Sequence, residues 1–255
     1  MITTREIYRY IDSIAPFDSA MSFDNPGLLV GDYDKEVNTV LLSLDITPSV
    51  AHEARELGAQ LIISHHPIIF NPLKKLSTGT APYLLAQYGI TAICAHTNLD
   101  MADGGVNTCL AKRLKLKNLS ALVKNEKGMT EAFWGETEKE YSPFEFAEFV
   151  KQSLGCEGLR FTDGLRDITK VGLCSGGGAD FVYEAAKIGC QAFVTGESKH
   201  NILLDAENMG ITYVDAGHFY TEDVVIEPLL IKLSNKFQNV KFVKSKRMHS
   251  PAKYI

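Results

Sequence analysis

Three short segments hold most of the side chains that could bind a metal or move a proton: Ser64-His65-His66-Pro67, His96-Thr97-Asn98-Leu99-Asp100 and Gly217-His218-Phe219-Tyr220-Thr221-Glu222. Each imidazole can give one nitrogen to a divalent ion, and the carboxylates add oxygen donors. A carboxylate can also bridge, and two ions ~3.5–4 Å apart can share a hydroxide or a substrate oxygen as a clamp. Four histidines and two acids are enough for two ions, and adjacent His65 and His66 on an irregular turn can face different ones. Each piece alone has an ordinary explanation. His-His-Pro occurs in surface turns. A lone His96 suits a packed residue or a partner to a ligand. Seven histidines among 31 acids make H-x-x-x-acid pairs by chance. The recurrence at three strand ends is what points to a metal. His52, in an expected helix and facing solvent, His200, and His249 in the tail do not share the arrangement.

Two further segments could contribute. Thr195-Gly196-Glu197 occupies, in the second half, the place of Ser64-His65-His66, so Glu197 is a candidate acid or base, as is His96. Ser175-Gly176-Gly177-Gly178 lies between a strand (Val171–Cys174) and an expected helix (Ala179–Lys187). Its amides could approach an anion, or it could be a tight turn, since it matches neither G-x-G-x-x-G nor a Walker A loop. Cys94 shares a strand face with His96, and apolar neighbours predict an inert buried thiol there.

The elements that must position these residues alternate. Val37–Leu44, Leu61–Ile63 and Ile90–Ala95 read as strands. Ser49–Leu57, Pro82–Tyr88 and Gly105–Leu114 read as helices. The β-α-β order favours a largely parallel sheet covered by helices, whose functional residues lie at the C-terminal strand ends. The pattern then recurs. Glu53-Ala54-x-x-Leu57-Gly58-Ala59-Gln60-Leu61-Ile62-Ile63-Ser64 aligns without a gap on Glu184-Ala185-x-x-Ile188-Gly189-Cys190-Gln191-Ala192-Phe193-Val194-Thr195. Gly89-Ile90-Thr91, leading to His96-x-x-x-Asp100, aligns with one gap on Gly210-Ile211-Thr212, leading to His218-x-x-x-Glu222. The expectation is two similar α/β lobes, 1–122 and 123–255, with the boundary near Leu122–Glu126 and the metal site in the cleft between them. The C-terminal helix is free to pack back on the first lobe. The intervening Val123–Asp167 is more polar.

Composition narrows the class. The 255 residues are 45% hydrophobic and 22% charged, with a formal net charge of −5, as in ordinary globular proteins. The balance argues against nucleic-acid binding, which wants a basic face. The one basic cluster, Lys241, Lys244, Lys246 and Arg247, reads as a solvated strand or tail. No apolar run approaches the ~20 residues of a membrane span. The N-terminus opens a helix with Thr3-x-x-Glu6 and does not resemble a signal peptide. Five scattered cysteines without C-x-x-C spacing suggest reduced thiols and a cytoplasmic protein.

These residues together resemble the Nif-three-like dinuclear-metal family, often labelled GTP cyclohydrolase I type 2 homologues. The matching pieces are Asp24-Asn25-Pro26-Gly27-Leu28-Leu29-Val30-Gly31, Ser64-His65-His66-Pro67, His96-Thr97-Asn98-Leu99-Asp100, Thr195-Gly196-Glu197 and Ala216-Gly217-His218-x-x-Thr221-Glu222, in family order over nearly the whole chain. The resemblance implies two linked α/β lobes and a dinuclear site held by His65, His66, Asp100, His218 and Glu222. Glu222 matches the acid that touches both ions, and His96 matches a position close to the site. A toroidal homohexamer is the implied assembly, and the chain is too short for the inserted third domain of longer members. Phe23 stands where tryptophan is common, and Thr108 where Asp often follows Gly-Val-Asn.

The expected function is metal-dependent hydrolysis of a small molecule, a nucleotide ring or a phosphoester. Two divalent ions would serve, with zinc, iron, manganese, cobalt and nickel all suited to these ligands. The alternatives are a metal-binding regulatory or interaction protein and a metal-cofactor delivery protein without turnover. Open coordination positions distinguish a catalytic site from a closed structural one.

Overall fold

The computed structural model describes all residues, 1–255. In chain order the first elements are α1 (Thr4–Ile14), β1 (Gly27–Val30), β2 (Thr39–Ser43), α2 (Pro48–Glu56), β3 (Leu61–Ser64), α3 (Ala81–Tyr88), β4 (Thr91–Cys94) and α4 (Thr97–Met101). Next come α5 (Val106–Arg113), β5 (Lys117–Lys124), β6 (Thr130–Tyr141), α6 (Pro143–Leu154), β7 (Arg160–Phe161) and β8 (Ile168–Leu173). The chain ends with α7 (Val182–Lys187), β9 (Ala192–Thr195), α8 (His200–Asn208), β10 (Thr212–Asp215), α9 (His218–Glu222), α10 (Ile226–Lys236) and β11 (Lys241–Lys244). This is a mixed α/β chain with two sheets. It divides into two compact units, Met1–Asp103 with Ile226–His249, and Gly104–Val225 with Ser250–Ile255. The opening segment of the first unit thus ends at Asp103, ahead of the Leu122–Glu126 boundary expected from sequence, and α10 belongs to the same unit.

The first unit's sheet runs β1-β4-β3-β2-β11. Strands β2, β3 and β4 are parallel, β11 adds parallel to β2, and β1 closes the other edge antiparallel to β4. Its core joins Leu41 and Ile62 of the sheet to Val50, Ala54, Leu84 and Leu85 of the helices. Two local devices set the register. Thr47 caps α2, its side chain accepting from the Val50 amide, where Thr is preferred because helix-entry amides lack partners. Gln60, entering β3, accepts the Asn38 and Thr39 amides on Oε1 and donates from Nε2 to the Gly58 carbonyl. Of the two readings of the basic cluster, strand or tail, the structure has the strand. Lys241–Lys244 is an edge strand, and the amides of Lys246 and Arg247 donate to buried Glu53.

The second unit's sheet runs β5-β6-β8-β9-β10-β7. Strands β8, β9 and β10 are parallel, and β7 closes one edge antiparallel to β10. The polar stretch after Leu122 belongs to this sheet: β5 and β6 form a hairpin that pairs β6 antiparallel with β8. The core sets Phe193 and Tyr213 of the sheet against Val182, Ala185, Ile202 and Ala206. Gln191, entering β9, accepts the Thr169 and Lys170 amides and donates to the Gly189 carbonyl. The helix expected over Ala179–Lys187 starts as a 3₁₀ turn, Ala179–Phe181, and is α-helical from Val182.

Candidate metal centre

In the first unit, His65 and His66 follow directly on β3. The His65 and His66 amides still donate to the end of the neighbouring strand, at Leu44 O, and Ser64 Oγ donates to His66 O. The turn is thus tied to the neighbouring strand end by its own main chain. His96 follows β4 by two residues, and the Asp100 amide donates to His96 O in α4. These placements bring His65, His66 and His96 into one cluster, with ring centroids 5.0–5.5 Å apart. One ligand nitrogen from each of the three can lie within 4.8 Å of the others. Asp100 joins them, its Oδ1 3.4 Å from His65 Nε2.

Every ring in this cluster is oriented by an acceptor on Nδ1. His65 Nδ1 lies 2.9 Å from the Ala95 carbonyl, His66 Nδ1 2.8 Å from Asp45 Oδ1, and His96 Nδ1 2.8 Å from Asp24 Oδ1. A carbonyl only accepts, so His65 carries its proton on Nδ1, and the carboxylates favour the same tautomer in His66 and His96. Nε2 is then the lone-pair nitrogen in all three, which is how metal-binding histidines are commonly held. Asp24 is itself well anchored. Burial alone would raise its pKa, but hydrogen bonds from the His96 ring and from the Thr97 hydroxyl and amide outweigh it and hold the carboxyl at about 2. Asp24 is therefore an anion wherever the protein is folded near neutral pH.

In the second unit, α9 opens immediately after β10 and presents His218 and Glu222 one turn apart. His218 Nδ1 lies 2.8 Å from Glu197 Oε1, and its Nε2 lies 2.8 Å from Glu222 Oε2. Glu222 is buried. An imidazole with a carboxylate at each nitrogen needs a second cation, a proton or a metal ion, to offset the two acceptors. Two ligand atoms on one ion at bond lengths of about 2.0–2.2 Å sit roughly 3.0–3.5 Å apart. The His65–Asp100 separation falls in that range and the His218–Glu222 separation just below it, so the donor sets fit a divalent ion in type and spacing.

Glycines shape this half of the site. Gly176 has φ +56°, and a β-carbon there would fall on Glu222 Oε1. Its amide donates to Thr221 Oγ1, and its carbonyl accepts from the Gly196 amide and Thr195 Oγ1. At Gly196 a β-carbon would meet Thr221 Oγ1 at 2.6 Å and His218 Cα at 2.8 Å. The Ser175–Gly178 turn thus cradles Glu222. Two of its amides are already committed, Ser175 N to Asn107 Oδ1 and Gly176 N to Thr221 Oγ1, which weakens its reading as an anion loop.

Of the residues singled out in the sequence, His65, His66, His96 and Asp100 lie together in the first unit, and His218, Glu222 and Glu197 in the second. Glu197 engages the ring of His218, as a positioning residue would. Cys94 is buried, donates to His65 O, and its pKa is pushed well above the ordinary thiol value, chiefly by burial. His52 is exposed, as expected, and so are His200 and His249. Sequence reasoning missed the anchoring roles of Asp45 and Asp24. The available signals were an acid just past the end of β2 and the Asp24-Asn25-Pro26-Gly27 motif, to which no role had been attached.

An α/β protein with imidazole–carboxylate clusters at the C-terminal ends of its strands is the class that this geometry defines. The chain belongs to the Duf34/NIF3 (NGG1p interacting factor 3) family, whose model matches residues 2–251. A Clostridium perfringens protein called GTP cyclohydrolase 1 type 2 homolog is 36% identical over 98% of each chain. The crystal structure of a Staphylococcus aureus protein matches with a TM-score of 0.93 at 30% identity, covering 100% of this chain and 99% of that one. That of a Bacillus cereus protein related to NIF3 matches with a TM-score of 0.92 at 25% identity, again over 100% and 99%.

Proposed function

We propose that His65, His66 and Asp100 of the first unit and His218 and Glu222 of the second jointly hold two divalent metal ions, and that the centre hydrolyses a small molecule. The anchoring of the three proposed ligand imidazoles, His65, His66 and His218, through Nδ1 carries this reading. Packing histidines have no common need to present Nε2, whereas ligands do. Once bound, two such ions would supply Lewis acidity and an activated water at neutral pH. Asp45, Glu197 and the Ala95 carbonyl keep the ligand protons on Nδ1. Glu222 offers two oxygens from a buried, glycine-walled position, which suits a carboxylate shared by two ions. His96, backed by ionised Asp24, is the candidate to hold or move a proton beside them.

The same proposal includes an internal repeat, with the metal site formed where two similar lobes meet. Supporting it, each unit has three consecutive parallel strands with an antiparallel strand beside the last. Gln60 and Gln191 also make equivalent bonds at the entry to the middle strand. The names of the relatives make a nucleotide ring the first substrate class to try, with phosphoesters next. A homohexamer in the cytoplasm completes the reading; five free, buried cysteines suit a reducing compartment.

The test is elemental analysis of protein purified without chelator, for wild type, His65→Ala and Glu222→Ala. Close to two ions per wild-type chain, with clear loss in both variants, is expected. An apo wild type that takes up neither zinc, iron nor manganese on reconstitution would falsify the metal centre. A loaded wild type that turns over no nucleotide or phosphoester with any of these metals would transfer the site to ligand binding or metal delivery.

A further inference from the structure

Beside His218 the second unit has a cavity of about 480 Å³, a size in the ~300–1,000 Å³ range of small-molecule sites. His218 and Glu197 line it, together with Arg160, Ser198, Phe219 and Tyr254. Arg160 stands on β7, at the edge of the sheet beside β10. Its Nη2 donates to the carboxylate of buried Asp215 and to the Ser198 carbonyl, and 61% of its side chain is exposed. These bonds hold the guanidinium plane in place and occupy one nitrogen. Nε and Nη1 remain as donors, each able to give a charge-assisted hydrogen bond to an oxyanion in the cavity. The two acids of the wall are already engaged, Asp215 with Arg160 and Glu197 with His218. Arg160 is therefore the charged group with hydrogen bonds left to give.

The apolar part of the wall is aromatic. The Tyr254 ring rests on the backbone at Gly158, where a β-carbon would come within 2.5 Å of Tyr254 Cδ1. Gly158 thus lets the ring seat closely, and Tyr254 remains 42% exposed. Phe219 follows His218 directly on α9. Rigid rings at small entropic cost and a preorganised guanidinium are the elements of a site for a flat, anionic molecule.

We propose that this cavity takes the recognition end of the substrate, a planar ring carrying a phosphate or carboxylate, with Arg160 on the oxyanion and Tyr254 and Phe219 against the ring. That the bound molecule is the substrate rests on the reading of His218 as a metal ligand; the binding itself does not.

Titration calorimetry on the full chain tests it, with phenyl phosphate, benzoate, inorganic phosphate and phenol as probes and metal content measured on the same samples. Phenyl phosphate or benzoate should bind wild type at least tenfold more tightly than phosphate or phenol, and whichever binds identifies the oxyanion. Arg160→Met and Tyr254→Ala should each weaken binding tenfold or more, Arg160→Lys should recover part of the loss, and metal content should stay at the wild-type level. Arg160→Met strips Asp215 of its partner; if that variant does not fold, Tyr254→Ala decides alone. The proposal is overturned if neither ring-bearing anion binds wild type, or if affinity is unchanged in the folded variants. Metal-replete protein that binds neither probe sinks the cavity reading only. Protein without metal that still binds through Arg160 sinks the metal reading only.

Discussion

A histidine is readied as a ligand when something else holds its proton, and in the proposed centre that task falls to Asp45, Glu197 and a main-chain carbonyl. Removing such an anchor leaves the ligand atom in place but frees the ring to rotate and to switch tautomer. Asp45→Ala and Glu197→Ala should therefore each cost about 10- to 100-fold in metal affinity, measured by competition with a chelating dye, with little change in the folded content by circular dichroism. The cysteines predict the opposite kind of result. Burial raises Cys156 to about 12 and Cys190 to about 11, and places Cys94 well above the usual thiol range. A raised thiol pKa means less thiolate at a given pH, so at pH 8 these groups are protonated as well as shielded. Native protein should react with iodoacetamide roughly a hundredfold more slowly than protein unfolded in guanidinium. Rapid alkylation of native Cys94 would contradict its packing.

Among the elements, the turn from β8 into the helical segment has the sharpest consequence. Gly176 and Gly177 are adjacent and chemically identical, yet a β-carbon at Gly176 would collide with Glu222, while at Gly177 it would meet nothing within 4 Å. Gly176→Ala also requires a left-handed backbone from a residue that disfavours it, a strain of about 1–3 kcal/mol. Gly176→Ala should lose metal and shift the denaturation midpoint downward, whereas Gly177→Ala should match wild type in both. Equal behaviour of the two variants would show that the cradle around Glu222 does not position it. The short helices α4 and α9 matter for the same reason: each turns immediately after a strand, so an acid four residues on from a histidine returns to the same side.

For the whole molecule, a centre that drew its ligands from residues 65–100 and 218–222, as proposed, would make metal binding a source of global stability. A ligand bound only by the native state stabilises it according to its concentration over its dissociation constant, about 2.7 kcal/mol at a hundredfold excess. Chelation should thus lower the melting temperature of wild type by several degrees, and readdition should restore it. His65→Ala and Glu222→Ala should melt at one temperature with or without chelator. A wild-type melting curve indifferent to chelator would count against a shared centre. No helix of the chain is long and apolar enough to cross a membrane.

Much of this was legible without coordinates. Strand and helix periods placed β2, β3 and β4 within a residue or two, because apolar runs closed by Gly58 and Gly89 leave little choice of element. The residues at the strand ends stood out because His and acid recur there, and side-chain chemistry is local information. The division of the chain was legible only in part: α10 returns to the first unit, as the C-terminal helix was free to do, but β5 straddles the expected boundary and joins the second sheet through β6, and β11 pairs in the first sheet. Such pairings join residues far apart in sequence, and no local pattern encodes them. The same holds for the anchors. Asp24 meets His96 across 72 positions, Asp45 meets His66 across 21, and Glu197 meets His218 across 21. The amino-acid sequence by itself determined which donors exist and on which elements they ride. Only the tertiary structure decided which nitrogen of each ring faces outward, because that depends on an acceptor brought to within 2.9 Å by the packing of other strands.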